Sequence, residues 1–525
     1  MPYFAWVQNL PFGKWYRYAD IGWPTRDGNK TIAELGETFV LVSPARNQIM
    51  TAYPPAVDRI YRDKNFVVPS PFKDFFQTFG LHLSSTNGVE WQRHRKITAQ
   101  AFMESNHNFM WEKSIEGTME LLASMNPSKT SASSPSSSSS SSSVAHGDVT
   151  WTLATVRSKF EAMAMQVLVT VGFGNKGDGV PAGHQRSLTD CLGFLLHNIF
   201  ITTLFGGLTA WVPSCLLPPV LRELKVCVAD FGLYMKEAVA IQISNQKPQS
   251  EKSTMPDGAK KKTASLIEAL VAANEAGRSR DEKSMFLSDS ELYGNMFLFN
   301  LAGFETTAGN LTFALPFLAA SPEFQDWLIE EIDALYDPDR PAANTYEALF
   351  PRLVRCLAFM HETLRMAGPA PMMLREPATS TSVPTSTSGS IIVPTGTWIT
   401  AHFYGVHLSP RWGTDAEEFN PKRFVKVGAD GKEMLAPPPE GALFMGWVFG
   451  PRVCPGKKFS QVEFVAVVAH LLSLYRVELV EEPGESKEDA RNRLMGVLGD
   501  KYFTIGAQVM QPNAAAIRFV RRERI

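Results

Sequence analysis

A chain of 525 residues with 44% apolar and 20% charged side chains has the material for one large domain with a sizeable core. Its net charge of -2 at pH 7 gives no electrostatic case for nucleic acid, which favours basic domains. Five cysteines (Cys191, Cys215, Cys227, Cys356, Cys454) without a C-x-x-C pair, and ten histidines without an H-E-x-x-H pattern, argue against zinc and disulfide frameworks and for a reducing compartment.

Residues 1–17 are aromatic but interrupted by Gln8, Pro11 and Lys14, so no membrane anchor is expected there. The chain is then soluble, truncated at its start, or attached by another surface. Residues 39–44 and 47–53 read as a β-strand pair, with a helix over 56–62. Trp91 and Arg95 lie four apart and share one helical face. By itself such a basic run is more often a solvated helix. Residues 126–147 hold a pure serine run at 136–143, which cannot bury enough apolar surface to offset its ordering entropy. That stretch reads as a disordered surface insertion, and 246–265 as a second exposed connector.

Between Cys191 and Leu221 no charged residue occurs, but Gly206-Gly207, Pro213 and Pro218-Pro219 break the run. A lipid-exposed break would leave backbone groups unsatisfied, so a helix, a loop and a helix roofing an apolar cavity are expected. A peripheral membrane contact by the same apolar loop stays open.

Ser288 and Glu291 form a capping-box start. From Leu292 to Ala320 the only charge is Glu305. Asn295, Asn300, Thr306 and Thr307 favour a long helix buried in protein over a membrane span, and an acid there needs partners or a task. Glu362 and Arg365 stand three apart on the next helical pattern, where an ion pair can form. Residues 369–375 read as an extended strand, 379–389 as a polar flexible hairpin and 391–403 as a strand.

The most informative stretch is Trp447-Val448-Phe449-Gly450-Pro451-Arg452-Val453-Cys454-Pro455-Gly456. Gly450 and Gly456 let backbone approach a flat ligand, and Pro451 and Pro455 stiffen the turn. A thiolate at Cys454 could ligate a metal, Arg452 suits an anionic group, and an apolar helical stripe follows from Phe459 to Leu472.

This loop resembles the haem-binding loop of the cytochrome P-450 superfamily, F-x-x-G-x-R-x-C-x-G, with Trp447 where the family usually has Phe. Four further segments match in family order: Trp91-x-x-x-Arg95, Ala302-Gly303-Phe304-Glu305-Thr306-Thr307, Glu362-x-x-Arg365, and Pro421-Lys422-Arg423-Phe424 with Lys422 replacing an acid. The resemblance implies a single mainly α domain over residues 1–525 with small β-sheets, haem lying between the long central helix and the cysteine loop. It assigns Cys454 as axial iron ligand of haem b, with Gly450 and Gly456 shaping the loop. Arg452, Arg375, Arg95 and Trp91 would hold the cofactor. Thr306 and Glu305 would handle oxygen and protons, and Glu362, Arg365 and Arg423 would form a structural network. Ala302, Phe304, Ala370, Met372 and Met373 would line the substrate pocket.

The implied activity is a monooxygenase that inserts one atom of O2 into an apolar small molecule of specialised, fungal-type metabolism. No G-x-G-x-x-G opens a strand–helix unit, so electrons are expected from an NADPH-dependent flavoprotein reductase, with cytochrome b5 as a second donor. The family places such enzymes on the cytoplasmic face of the endoplasmic reticulum. Two other readings stay open, a haem-thiolate isomerase or dehydratase that does not use O2, and a haem-binding sensor without turnover.

Overall fold

The computed structural model describes residues 15–18, 22–70, 76–125, 148–174, 178–209, 211–246, 265–278, 286–340 and 343–523. The serine run and nearly all of the 246–265 connector lie outside them. Helices dominate, with small sheets of two or three strands. By internal packing the chain divides into Met1–Val67, Ser114–Met163 and Glu305–Ile525 as one compact unit and Val68–Lys113 with Ala164–Phe304 as another.

The central helix runs Asp289–Ala319. Its capping box closes both ways: Ser288 N donates to Glu291 Oε2 at 2.8 Å and Glu291 N to Ser288 Oγ at 3.3 Å. Two of its buried polar side chains bond back to their own turn, Asn300 to the Met296 carbonyl at 2.8 Å and Thr312 to the Ala308 carbonyl at 2.7 Å. Among the described residues no single helix is long and apolar enough to cross a membrane.

In the first unit, Thr38–Val42 pairs antiparallel with Asn47–Thr51, which pairs parallel with Trp398–Ala401. The helix after the cysteine loop, Lys457–Leu474, is buried without interruption from Gln461 to Ser473. The expected apolar stripe is thus a core helix enclosed on all sides. Beside it, the helix Val354–Ala367 has no side-chain cap of its own. Glu331 supplies one from the neighbouring helix, accepting from Arg355 N at 2.8 Å and Cys356 N at 3.1 Å.

The expected ion network is present. Arg365 and Glu362 are fully buried and pair side-on at 2.7 and 2.8 Å. The guanidinium also donates to the carbonyls of His407, Ala416 and Glu418, which uses its full set of N–H groups. Arg423 Nε reaches Glu362 Oε1 at 3.2 Å, and its Nη2 reaches Asp415 Oδ2 at 3.0 Å. Lys422, in place of the family acid, sets its ammonium over the rings of Phe324 and Trp327.

Two strand expectations need correction. Residues 369–375 form no strand: the chain bends at Pro369 and Pro371, which cannot donate to a ladder, and only Arg375 makes a bridge, to Ile399. Residues 391–403 are not one strand. Gly389–Val393 pairs with Thr381–Thr385, a turn at Pro394 to Gly396 intervenes, and Trp398–Ala401 joins another sheet. The segment expected as a flexible hairpin is therefore half of a paired ladder.

In the second unit, Trp91 and Arg95 sit on the helix Gly88–Thr98. His94, fully buried, accepts from Asn295 Nδ2 at 2.9 Å and lies 3.4 Å from Glu291 Oε1, which also pairs with Arg93. The uncharged stretch forms Leu188–His197 and Ile199–Thr209, bent by 109°. Leu204, Leu208, Trp211 and Leu216 are exposed.

Two outcomes test these energetics. Arg365→Leu removes the side-on partner of a buried carboxylate, leaving it only Arg423 and Asn420 N, and is expected to lower the unfolding free energy by about 3–5 kcal/mol. Arg62→Ala, which breaks an exposed pair with Asp58, is expected to cost at most about 1 kcal/mol. Denaturant titration of both variants separates them. Burial raises the Glu331 carboxyl from 4.5 to about 7, so its stabilisation is full below pH 4.5 and fades as pH rises through 7. Glu331→Gln should flatten the denaturation midpoint across that window.

Candidate active site

The cysteine loop is a sequence of tight turns. Val448 N donates to the Met445 carbonyl at 3.0 Å, Val453 N to Gly450 at 3.1 Å, and Cys454 N to Trp447 at 3.1 Å. Gly450 has φ +76°, and a Cβ built there would stand 2.4 Å from the Tyr61 carbonyl oxygen, so only glycine fits. Val448 holds φ 56°, a costly conformation for a β-branched residue, and strain of this kind gathers at ligand clamps. Cys454 carries an exposed thiol outside any disulfide, three residues before the helix Lys457–Leu474. The positive end of that helix favours the ionised sulfur.

The loop is tied to the buried ion network through His407. Its Nε2 accepts from Met445 N at 2.8 Å, which leaves Nδ1–H to donate to the Arg365 carbonyl at 3.1 Å. Burial, then the charge of Arg365, pushes the imidazole down to about 3, so it stays neutral and keeps this arrangement.

Two guanidiniums gather beside the loop. Arg375 is buried with its guanidinium over the Tyr61 ring at 5.3 Å, and Tyr61 Oη donates to the Met373 carbonyl at 2.7 Å. Burial lowers the Arg375 pKa. Arg452 falls to about 9, through burial first and the positive charge of Arg375 second. Two cations pressed together in poor solvent favour an anionic ligand with two carboxylates. An ionisable thiol, a glycine that lets backbone come close, and this paired positive charge together fit iron protoporphyrin with its two propionates. Among the described residues no group of three or more His, Cys, Asp or Glu is placed to hold a metal ion.

On the central helix, Ala302, Gly303, Thr306 and Gly309 are the less buried positions, at the three- and four-residue spacing of one face. Phe304, expected in the substrate pocket, packs against a helix of the uncharged stretch. It is buried, 5.7 Å from the His197 ring. Glu305 is buried and paired with Arg157 Nη2 at 2.8 Å, with Gln508 Nε2 at 3.3 Å from the same oxygen. Tyr502 Oη holds Gln508 Oε1 at 2.7 Å. Thr307 is buried and bonded to Glu463, whose carboxyl is pushed up to about 8 by burial, against the pull of that hydroxyl.

Of the other expected lining residues, Ala370 packs against the core around Tyr61 and Phe403. Met372 packs in a separate cluster with Trp23, Phe39 and Met50, while Met373 is exposed. Arg157, Gln508, His407 and Glu463 escaped the sequence reading. Only Glu463 had a usable signal, a lone acid inside an apolar helix.

A family model for cytochrome P-450 matches residues 24–504. The chain is 30% identical over 465 residues to cytochrome P-450 monooxygenase 124 of Postia placenta, covering 86% of this chain and 79% of that one. It is 27% identical over 491 residues to the phomenoic acid biosynthesis cluster cytochrome P-450 monooxygenase of Leptosphaeria maculans, covering 87% and 78%. A crystal structure of a cytochrome P-450 superposes with TM-score 0.67 at 17% identity, covering 96% of this chain and 99% of that one. A retinoic acid-bound cyanobacterial P-450 gives TM-score 0.66 at 18% identity, covering 97% and 96%.

Gly450→Ala combines a left-handed backbone with a clash against Tyr61. It is expected to cost more than about 2 kcal/mol in denaturant unfolding. Gly484→Ala shares the positive φ, 85°, but its Cβ would meet nothing, so it should cost only about 1–2 kcal/mol.

Proposed function

Because this chain belongs to the cytochrome P-450 family of monooxygenases, we propose that it inserts one oxygen atom of O2 into an apolar small molecule of specialised metabolism. The observation that carries this reading is the Cys454 turn, a sulfur on a strained loop at a helix N-terminus beside two crowded arginines. Haem b, when bound, supplies reductive activation of O2.

The remaining chemistry belongs to side chains. Cys454 would hold the haem iron through its thiolate, a ligand that pushes electron density toward the metal. Arg375 and Arg452 would neutralise the propionates, and Trp91 and Arg95 would take the roles their motif implies. Thr306 offers a hydroxyl on the open face of the central helix, where it can orient oxygen and a water. Glu305 next to it moves protons, and Arg157 pairs with its carboxylate and fixes its position. Ala302, a small and exposed residue on that face, leaves room for substrate.

Electrons come from an NADPH-dependent flavoprotein reductase, with cytochrome b5 as a second donor. The exposed Leu204, Leu208, Trp211 and Leu216 support a peripheral contact with the endoplasmic reticulum membrane on its cytoplasmic side. The Leptosphaeria maculans relative, named for a biosynthetic cluster, supports specialised metabolism as the setting.

The test is turnover with reductase under labelled oxygen gas, using substrates found by spectral shift among terpenoids, polyketides and alkaloids. Product carrying one heavy oxygen atom is expected, and Thr306→Ala should slow its formation by about 100-fold. An unlabelled product formed at the same rate without oxygen would instead mean isomerisation or dehydration.

A further inference from the structure

Trp447 opens the cysteine loop with an aromatic side chain that, unlike phenylalanine, carries an N–H. A buried indole must place that group, and here Nε1 donates to Ser460 Oγ at 2.9 Å. The hydroxyl is a well-matched acceptor because its own proton goes to the Lys457 carbonyl at 2.9 Å. Ser460 is also held by its backbone, whose N–H donates to the Gly456 carbonyl at 2.9 Å.

The indole is fixed on its other sides. The His361 ring stands edge-on at 5.2 Å, Phe444 at 5.9 Å, and Lys457 Nζ lies over the ring at 5.4 Å. Burial first, then Lys457, holds His361 down to about 3, so it packs as a neutral ring. Trp447 therefore binds the loop twice. Its carbonyl accepts from Cys454 N at 3.1 Å, and its side chain reaches past Cys454 to the first turn of the following helix.

We propose that Trp447 and Ser460 form a clamp that closes the loop around Cys454 and holds its sulfur in the orientation that ligates iron. Trp447 is thus a positioning residue. The inference rests on the reading of Cys454 as axial ligand, and it assigns a physical task to the one residue that departs from the family's loop pattern.

The experiment uses haem-loaded protein, reduced and saturated with carbon monoxide. It reads the rate at which the thiolate-ligated absorption band gives way to the thiol-ligated one, at a temperature well below the unfolding midpoint. One neutral hydrogen bond is at stake, so Ser460→Ala and Trp447→Phe should each accelerate the conversion about fivefold. The double variant should be no faster than either single one, because both remove the same bond. Ser460→Thr keeps the hydroxyl and should convert at the wild-type rate.

Wild-type rates in both Ser460→Ala and Trp447→Phe would overturn the clamp. So would acceleration in Trp447→Phe alone, since that assigns the effect to ring packing. Cys454→Ser tests the underlying reading separately. If it retains the thiolate band, the ligand assignment fails whatever the clamp variants do.

Discussion

A carboxylate and a guanidinium with no access to water, Glu362 and Arg365, set the constraint on which the site depends. Burying two charges is costly, and the pair persists because every remaining donor and acceptor around it is used. The carbonyls of His407, Ala416 and Glu418 are drawn to one guanidinium, and Asn420 N and Arg423 to one carboxylate oxygen. Three stretches of chain that are distant in sequence thereby meet at one point. From there a neutral His407 passes the constraint to Met445, whose carbonyl anchors the first turn of the cysteine loop. The strain held at Val448 has a rigid support.

The two charged regions of this unit are balanced differently. In the ion network cation and carboxylate compensate each other, so it is a structural device. Beside the loop, burial lowers both Arg375 and Arg452, and the charge of Arg375 lowers Arg452 further, so positive charge there has no protein carboxylate to offset it among the causes of either shift. Such a field suits a thiolate and an anionic cofactor. The helix dipole behind Cys454 acts in the same sense.

How much of this was legible in the sequence depends on the distance over which each contact is made. The capping box of Ser288 and Glu291, the Glu362–Arg365 pair and the loop glycines are local, and their spacing alone identifies the geometry. Arg157 and Gln508 reach Glu305 from far along the chain, where no periodicity marks them. Asp415 and His407 likewise acquire meaning only when Arg423 and Met445 arrive beside them. Strands were misjudged where Pro394 and Gly396 divide an apolar run that looks continuous. Where Phe304 and Met372 pack is set by helical rotation and by a neighbouring cluster, neither of which their local sequence shows.

The central claim is a bond between the Cys454 sulfur and iron. Iron K-edge X-ray absorption of the haem-loaded protein tests it without reference to substrate or reductase. A sulfur scatterer in the first coordination shell, lost in Cys454→Ala, is the predicted result. A shell of nitrogen and oxygen alone, unchanged by that substitution, would contradict the account.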